Sequence, residues 1–425
     1  MSRRDRERTW AVRAVAAALA LTVGALASGD ARGEDLYDVR YEARVVPTER
    51  SAHVEIRVRQ GDAALRTLSF RIDPDRHVQW SGDGTVEQNE GTVTWEVPAQ
   101  GGSLRYVFRI DHLRDGRSYD ARSAGEWALF RSDDLVPPAA ARTRKGARAR
   151  AVLRLRLPES WSSATPYPKR ADGSYPIENP RRGFDRPTGW ILVGRRLGIV
   201  RETIAGVATT VAGPAGQGVR RIDLLALLRW TLPELREVLP AMPARLLLVG
   251  AGDPMWRGGL SGPNSVFIHA DRPLMTPDGT SPVLHEILHV ALPTGASGSE
   301  DWLVEGLAEF YSLALLQRSR TISKARHEKA LAGLAERGAA VKAVRGRRSH
   351  GELTARAVSL LVELDRTLRD ASDGERSLDD ALRAMVESGA PLSFEALRSA
   401  SEQAAGRDLA SYFERAIFAA KRTSD

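Results

Sequence analysis

The segment Ser281-Pro282-Val283-Leu284-His285-Glu286-Ile287-Leu288-His289 holds the residue types with the most chemical potential in the chain. Ser281 can cap a helix, Pro282 suits its first turn, and Pro293 helps to stop it. On such a helix His285 and His289 are four apart, so both imidazoles lie on one face and can grip one Zn²⁺. Glu286 follows the first histidine and can lean over a water at the metal. Zinc acidifies that water and the carboxylate takes its proton, which is the chemistry of attack on a polarised carbonyl. Leu284, Ile287 and Leu288 make the rest of the helix apolar. Two histidines and a glutamate on a largely buried helix need partners.

A third ligand is available downstream. Asp301-Trp302-Leu303-Val304-Glu305-Gly306-Leu307-Ala308-Glu309-Phe310-Tyr311 follows a short Gly/Ser loop. Ser299 can cap this second helix, and Glu300 and Asp301 suit its N-terminus. Leu303, Leu307, Phe310 and Ala314 form its apolar stripe. Glu305 lies sixteen residues after His289, far enough for the second helix to pack back against the first. Glu305 and Glu309 are one turn apart on the same face. Glu305 reads as the third metal ligand, and Glu309 as the carboxylate that orients a ligand imidazole, that of His285.

These helices need a scaffold, and the hydrophobic period changes along the chain to supply one. Residues 37–157 alternate apolar and polar positions, as in Val39-Tyr41-Ala43-Val45, Val54-Ile56-Val58, Leu68-Phe70-Ile72, Val93-Trp95-Val97 and Leu104-Tyr106-Phe108-Ile110. Period two means one buried and one wet face, so a sandwich-like antiparallel domain is expected, with Leu153, Leu155 and Leu157 on a last strand. Residues 158–185 are rich in Pro, Gly and charge and read as a connection. Trp190–Val193 and Ile199–Val211 read as further strands. The leucines from Leu224 to Leu235 suggest a helix interrupted at Pro233. Arg245–Gly250 fits a buried strand. After about residue 320 the chain reads as helical, with a break near Ala390-Pro391.

The chain has 425 residues, 42% hydrophobic and 27% charged, with a formal charge of +8 and no cysteine. Six arginines and three acids fall within residues 1–33, so only part of that charge belongs to the remainder. The densest basic cluster, Arg142, Arg144, Lys145, Arg148 and Arg150, follows Pro137-Pro138 and a run of alanines and reads as an exposed linker. Nucleic acid is not an expected partner, because no groove or helix organises these charges around aromatic platforms. Five arginines between Arg3 and Arg13, an apolar stretch from Ala14 to Ala27 and small residues before Glu34 form an export-signal pattern, with an uncleaved N-terminal anchor as the alternative. Export to the periplasm or medium follows. No membrane span is expected in the mature chain.

The pattern His285-Glu286-x-x-His289 followed by Trp302-x-x-Glu305-Gly306 resembles the gluzincins. More narrowly it is similar to the glycyl aminopeptidase and membrane-alanyl-aminopeptidase-like families. The stretch Ser359–Met385 also resembles the helical region after that active site, and nothing resembles a C-terminal PDZ domain. The resemblance implies one Zn²⁺ per chain, peptide or protein substrates, and a thermolysin-like catalytic domain. It places Gly259-Leu260-Ser261-Gly262 on a substrate-binding edge strand, with Ser261 where a Glu binds the substrate's amino group. A hydroxyl cannot balance an ammonium, which favours endopeptidase or relaxed specificity over a strict aminopeptidase, unless Glu300 or Asp301 takes that role. The resemblance puts Thr354 where a Tyr donates to the oxyanion; His350 or Tyr311 are the substitutes. The fold class is multidomain α+β. The expected division is a signal peptide 1–33, an N-terminal antiparallel β-sandwich-like domain 34–157 and a connecting segment with further strands 158–219. A thermolysin-like zinc peptidase domain 220–320 and a C-terminal helical domain 321–425 complete it. A degenerate, polypeptide-binding envelope protein is the alternative of a different class.

Overall fold

A computed structural model describes residues 36–178, 184–292, 300–346 and 348–417. The segment read as an export signal, Pro293 and Ser299 lie outside the described residues. The alternating N-terminal segments fold as β structure with the apolar set inward. Val39, Tyr41, Val54, Ile56, Phe70, Trp95, Leu104 and Phe108 are all buried in one core. A six-stranded sheet runs in the order Tyr175–Ile177, Arg148–Arg156, Leu36–Val46, Ser51–Arg59, Gly101–Arg109, His77–Gly82. It is not purely antiparallel, because Leu36–Val46 and Arg148–Arg156 pair in parallel. A four-stranded sheet that includes Leu65–Arg71 and Thr92–Glu96 faces it across the core.

Two corrections concern the middle of the chain. The basic cluster around residue 145 is not a linker. Ala139–Thr143 and Arg148–Arg156 are strands, joined by a turn in which Gly146 takes φ +84°. Residues 158–219 are not a separate connection either. Ser162–Ala164, Tyr175–Ile177 and Trp190–Gly194 hydrogen-bond into the N-terminal sheets. Leu197–Ile204 and Val207–Pro214 form a hairpin that opens the next sheet. That sheet has the order Leu197–Ile204, Val207–Pro214, Arg245–Val249, Ser265–Ile268, Gly259–Gly262, the last being an edge. Period two is again visible. Val211, Leu246, Leu248, Val266 and Ile268 pack against helices, while Ala212, Leu247, Val249 and Phe267 pack against Trp190 and Leu192 of the β part.

The helix Arg221–Val238 runs uninterrupted through Pro233. Pro233 is exposed and so is Arg229, one turn back, whose carbonyl loses its helical partner and is left to water. The stripe Leu224, Leu228, Leu232 and Leu235 is buried along its whole length, and each such side chain contributes about 1.5–3 kcal/mol. That outweighs one missing bond. Past residue 320 the described residues form the helices Lys324–Gly338, Glu352–Ala371, Leu378–Glu387, Phe394–Ala405 and Ala410–Ile417. No helix among the described residues is long and apolar enough to cross a membrane.

Candidate metal centre

The motif helix spans Pro282–Ala291. Ser281 Oγ accepts the Leu284 N–H at 3.3 Å and donates to the Leu274 carbonyl at 2.7 Å, which fixes where the helix starts. Val283, Leu284, Ile287 and Leu288 are buried, so His285, Glu286 and His289 take the half-buried face. The glutamate helix, Asp301–Arg318, packs across this one. Gly306 lets it come close to Glu352–Ala371, since a Cβ there would sit 2.8 Å from that of Ala357.

This packing brings three ligand atoms together. His285 Nε2 and His289 Nε2 are 3.1 Å apart. Glu305 carboxylate oxygens lie 3.2 Å from His285 Nε2 and 3.4 Å from His289 Nε2. A tetrahedral zinc with bonds of about 2.0–2.1 Å would space its ligand atoms by roughly 3.3–3.4 Å. The triangle therefore has the right size for such an ion, and it is a three-residue ligand group among the described residues. Glu309 Oε2 is 3.0 Å from His285 Nδ1, the ring nitrogen turned away from the ligand triangle. It thus selects the tautomer that leaves Nε2 free to coordinate.

Electrostatics agree with a cation site. Burial disfavours a charged His285 ring, yet its hydrogen bonds to the Glu305 and Glu309 carboxylates outweigh it and raise the pKa to about 10. Burial works against the Glu305 carboxylate, but hydrogen bonds from His285 and His289 win and lower its pKa to about 2. Two carboxylates facing His285 thus favour a positive charge between them, whether a proton or a metal ion supplies it.

Glu286 meets the edge strand. A Cβ on Gly259 would lie 2.7 Å from Glu286 Cγ and 3.0 Å from its Oε1, so only glycine allows this approach. His269 N–H donates to the Gly258 carbonyl at 3.0 Å. By the alternation of an antiparallel ladder, Gly259 and Ser261 then turn N–H and C=O to the open edge. Leu260 and Gly262 bond inward, and the Leu260 carbonyl also accepts the Trp190 indole N–H at 3.0 Å. Sequence reasoning missed Trp190 as a support of this strand; its only signal was an aromatic residue seventy positions away.

Other predicted residues stand elsewhere. Tyr311 is fully buried and donates to Asp379 Oδ1 at 3.0 Å, in a group with Arg318, so it is not free to serve an oxyanion. Thr354 shares a hydrogen bond with Ser349. His350 is exposed, and its neighbour Ser349 donates its backbone N–H to Asp301, one turn ahead of Glu305. Glu300 is buried against Arg345. Both acids considered for binding an amine are thus already engaged.

No protein-family model matches the chain, and no curated protein sequence does. Solved structures do match. An aminopeptidase N family protein from Idiomarina loihiensis superposes with a TM-score of 0.70 at 14% identity, over 91% of this chain and 77% of that one. A mutant two-domain M1 zinc metallopeptidase, solved bound to L-arginine, superposes with a TM-score of 0.56 at 17% identity, over 92% and 94%. At such identities the likeness is one of architecture: this chain has the fold of these aminopeptidase N and M1 metallopeptidase structures.

Proposed function

We propose that the chain is a zinc-dependent peptidase of gluzincin type, exported, with His285, His289 and Glu305 as ligands and Glu286 as general base. The observation that carries this reading is the ligand triangle with Glu309 behind His285, on a fold shared with zinc metallopeptidases. Bound zinc supplies a Lewis acid that polarises the scissile carbonyl and acidifies water. The protein's own residues do the rest. An extended peptide lies along the open edge and pairs with the outward N–H and C=O groups of Gly259 and Ser261. Glu286, pressed against Gly259, takes the proton of the attacking water and returns it to the leaving amine. His350, held near the glutamate helix through Ser349 and Asp301, is the proposed donor to the developing oxyanion.

Endopeptidase or relaxed specificity is the favoured form. Ser261 supplies no charge for a terminal ammonium, and Glu300 and Asp301 have partners of their own. The test compares one peptide with and without N-terminal acetylation. Cleavage of both supports this form; cleavage of the free amine alone would establish a strict aminopeptidase. The alternative, a metal-binding but inactive polypeptide binder, is motivated by Ser261 and by the engagement of Tyr311 and Thr354 elsewhere.

A further inference from the structure

The chain's positive charge is concentrated on one surface, away from the metal centre's helices. In the strands Arg148–Arg156, Leu36–Val46, Ser51–Arg59 and Gly101–Arg109 every second residue faces away from the core. Those outward positions carry ten arginines against three carboxylates, Asp38, Glu42 and Glu55. This excess of seven compares with +8 for the whole chain.

The register sets like charges side by side. Arg40 stands directly opposite Arg57 on one neighbour and opposite Val152 on the other. Like charges in that position destabilise a sheet; Glu55 holds Arg57 at 2.8 Å, whereas Arg40 has no ion pair among the described residues. A pocket of about 240 Å³ opens at this point, lined by Arg40, Arg57, Arg59, Arg150, Arg154 and Arg170. Its two carboxylates are already held, Asp38 by Arg150 at 2.6 Å and Asp172 by Arg154 at 2.7 Å. Arg150 nevertheless keeps 67% of its side chain exposed. Guanidinium groups at this density match phosphate oxygens in pairs.

We propose that this sheet face docks on an anionic membrane, with lipid headgroup phosphates entering the arginine-lined pocket. The outward positions carry no Trp, Tyr or Phe on which nucleic-acid bases could stack.

The test is flotation of the full chain with phosphatidylcholine vesicles, with and without phosphatidylglycerol. Binding should rise at least about tenfold with the anionic lipid and fall with salt. The triple variant Arg40→Thr, Arg57→Thr, Arg59→Thr should lose on the order of 100-fold, with its fold checked by circular dichroism. If the triple variant does not fold, Arg40→Thr and Arg59→Thr singly should each lose about fivefold. A control with the same charge change elsewhere, Arg195→Gln, Arg201→Gln, Arg245→Gln, should keep the binding. Equal binding to both vesicles, or an equal loss in the control, overturns the proposal. Tighter binding to a DNA duplex than to anionic vesicles would overturn the lipid assignment.

Discussion

His285 is held from two sides, by Glu305 at Nε2 and by Glu309 at Nδ1. The two carboxylates do different things, and substitution separates them. His289→Ala removes a proposed ligand, and elemental analysis of protein prepared with zinc should find far less than one metal per chain. Glu309→Gln leaves the triangle intact but loosens the ring, and a competing chelator should report affinity weaker by about 10–100-fold. His350→Ala should leave the metal content unchanged and lower kcat by about 10²–10³ if the imidazole donates to the oxyanion. The proposed ligands were legible in the sequence because His285 with His289, and Glu305 with Glu309, are each four residues apart on a helix, and sixteen residues between His289 and Glu305 leave room for the second helix to pack back. Tyr311 and Glu300 were not legible, since their partners Asp379 and Arg345 lie 68 and 45 residues away. A Tyr beside a metal-binding pattern looks the same whether it faces the cleft or a buried ion pair.

At the scale of elements, the edge strand and the motif helix form one unit. Gly259→Ala would drive a methyl group into Glu286 and displace the base without touching a ligand. We expect full metal content and activity lowered by about tenfold or more, since a shift of about 1 Å near the reacting atoms costs up to 10²-fold. Ser281→Ala acts differently. It removes the cap and the bond to Leu274, and should lower stability by about 0.5–2 kcal/mol in a denaturant titration. Most element types followed from period and caps, though Ala139–Thr143, Ser162–Ala164 and Tyr175–Ile177 did not. Pro233 is the instructive exception, because the sequence marks the lost backbone bond but not the buried leucine stripe that overrides it.

For the whole molecule, strand pairing was the least legible level. Alternation marks Trp190–Val193 and Ile199–Val211 as strands but carries no record of which sheet each joins, and it does not mark Ser162–Ala164 or Tyr175–Ile177 at all. Partners such as Trp190 with Leu260 are fixed only by the packing of the β part on the second sheet. Within the β part, His77 is buried, and burial depresses its pKa although backbone carbonyls of Asp134 and Asp73 oppose the shift. The folded state therefore binds fewer protons at this site than the unfolded chain. The stability it contributes is full above the ordinary value of about 6.5 and declines as pH falls below it. His77→Gln should flatten the decline of the urea midpoint from about pH 7 to about pH 5 relative to the parent chain.

The central claim joins the scales: a fold that sets an edge strand beside a zinc-sized triangle and a glutamate makes a peptidase. Mass-spectrometric cleavage of a diverse peptide mixture by the zinc-loaded protein, beside its Glu286→Gln variant, tests it most directly. The account predicts internal cuts by the parent chain, lower by about 10²–10⁴-fold in the variant at equal metal content. Cleavage that is the same in both proteins, or no cleavage by either with zinc bound, would contradict it.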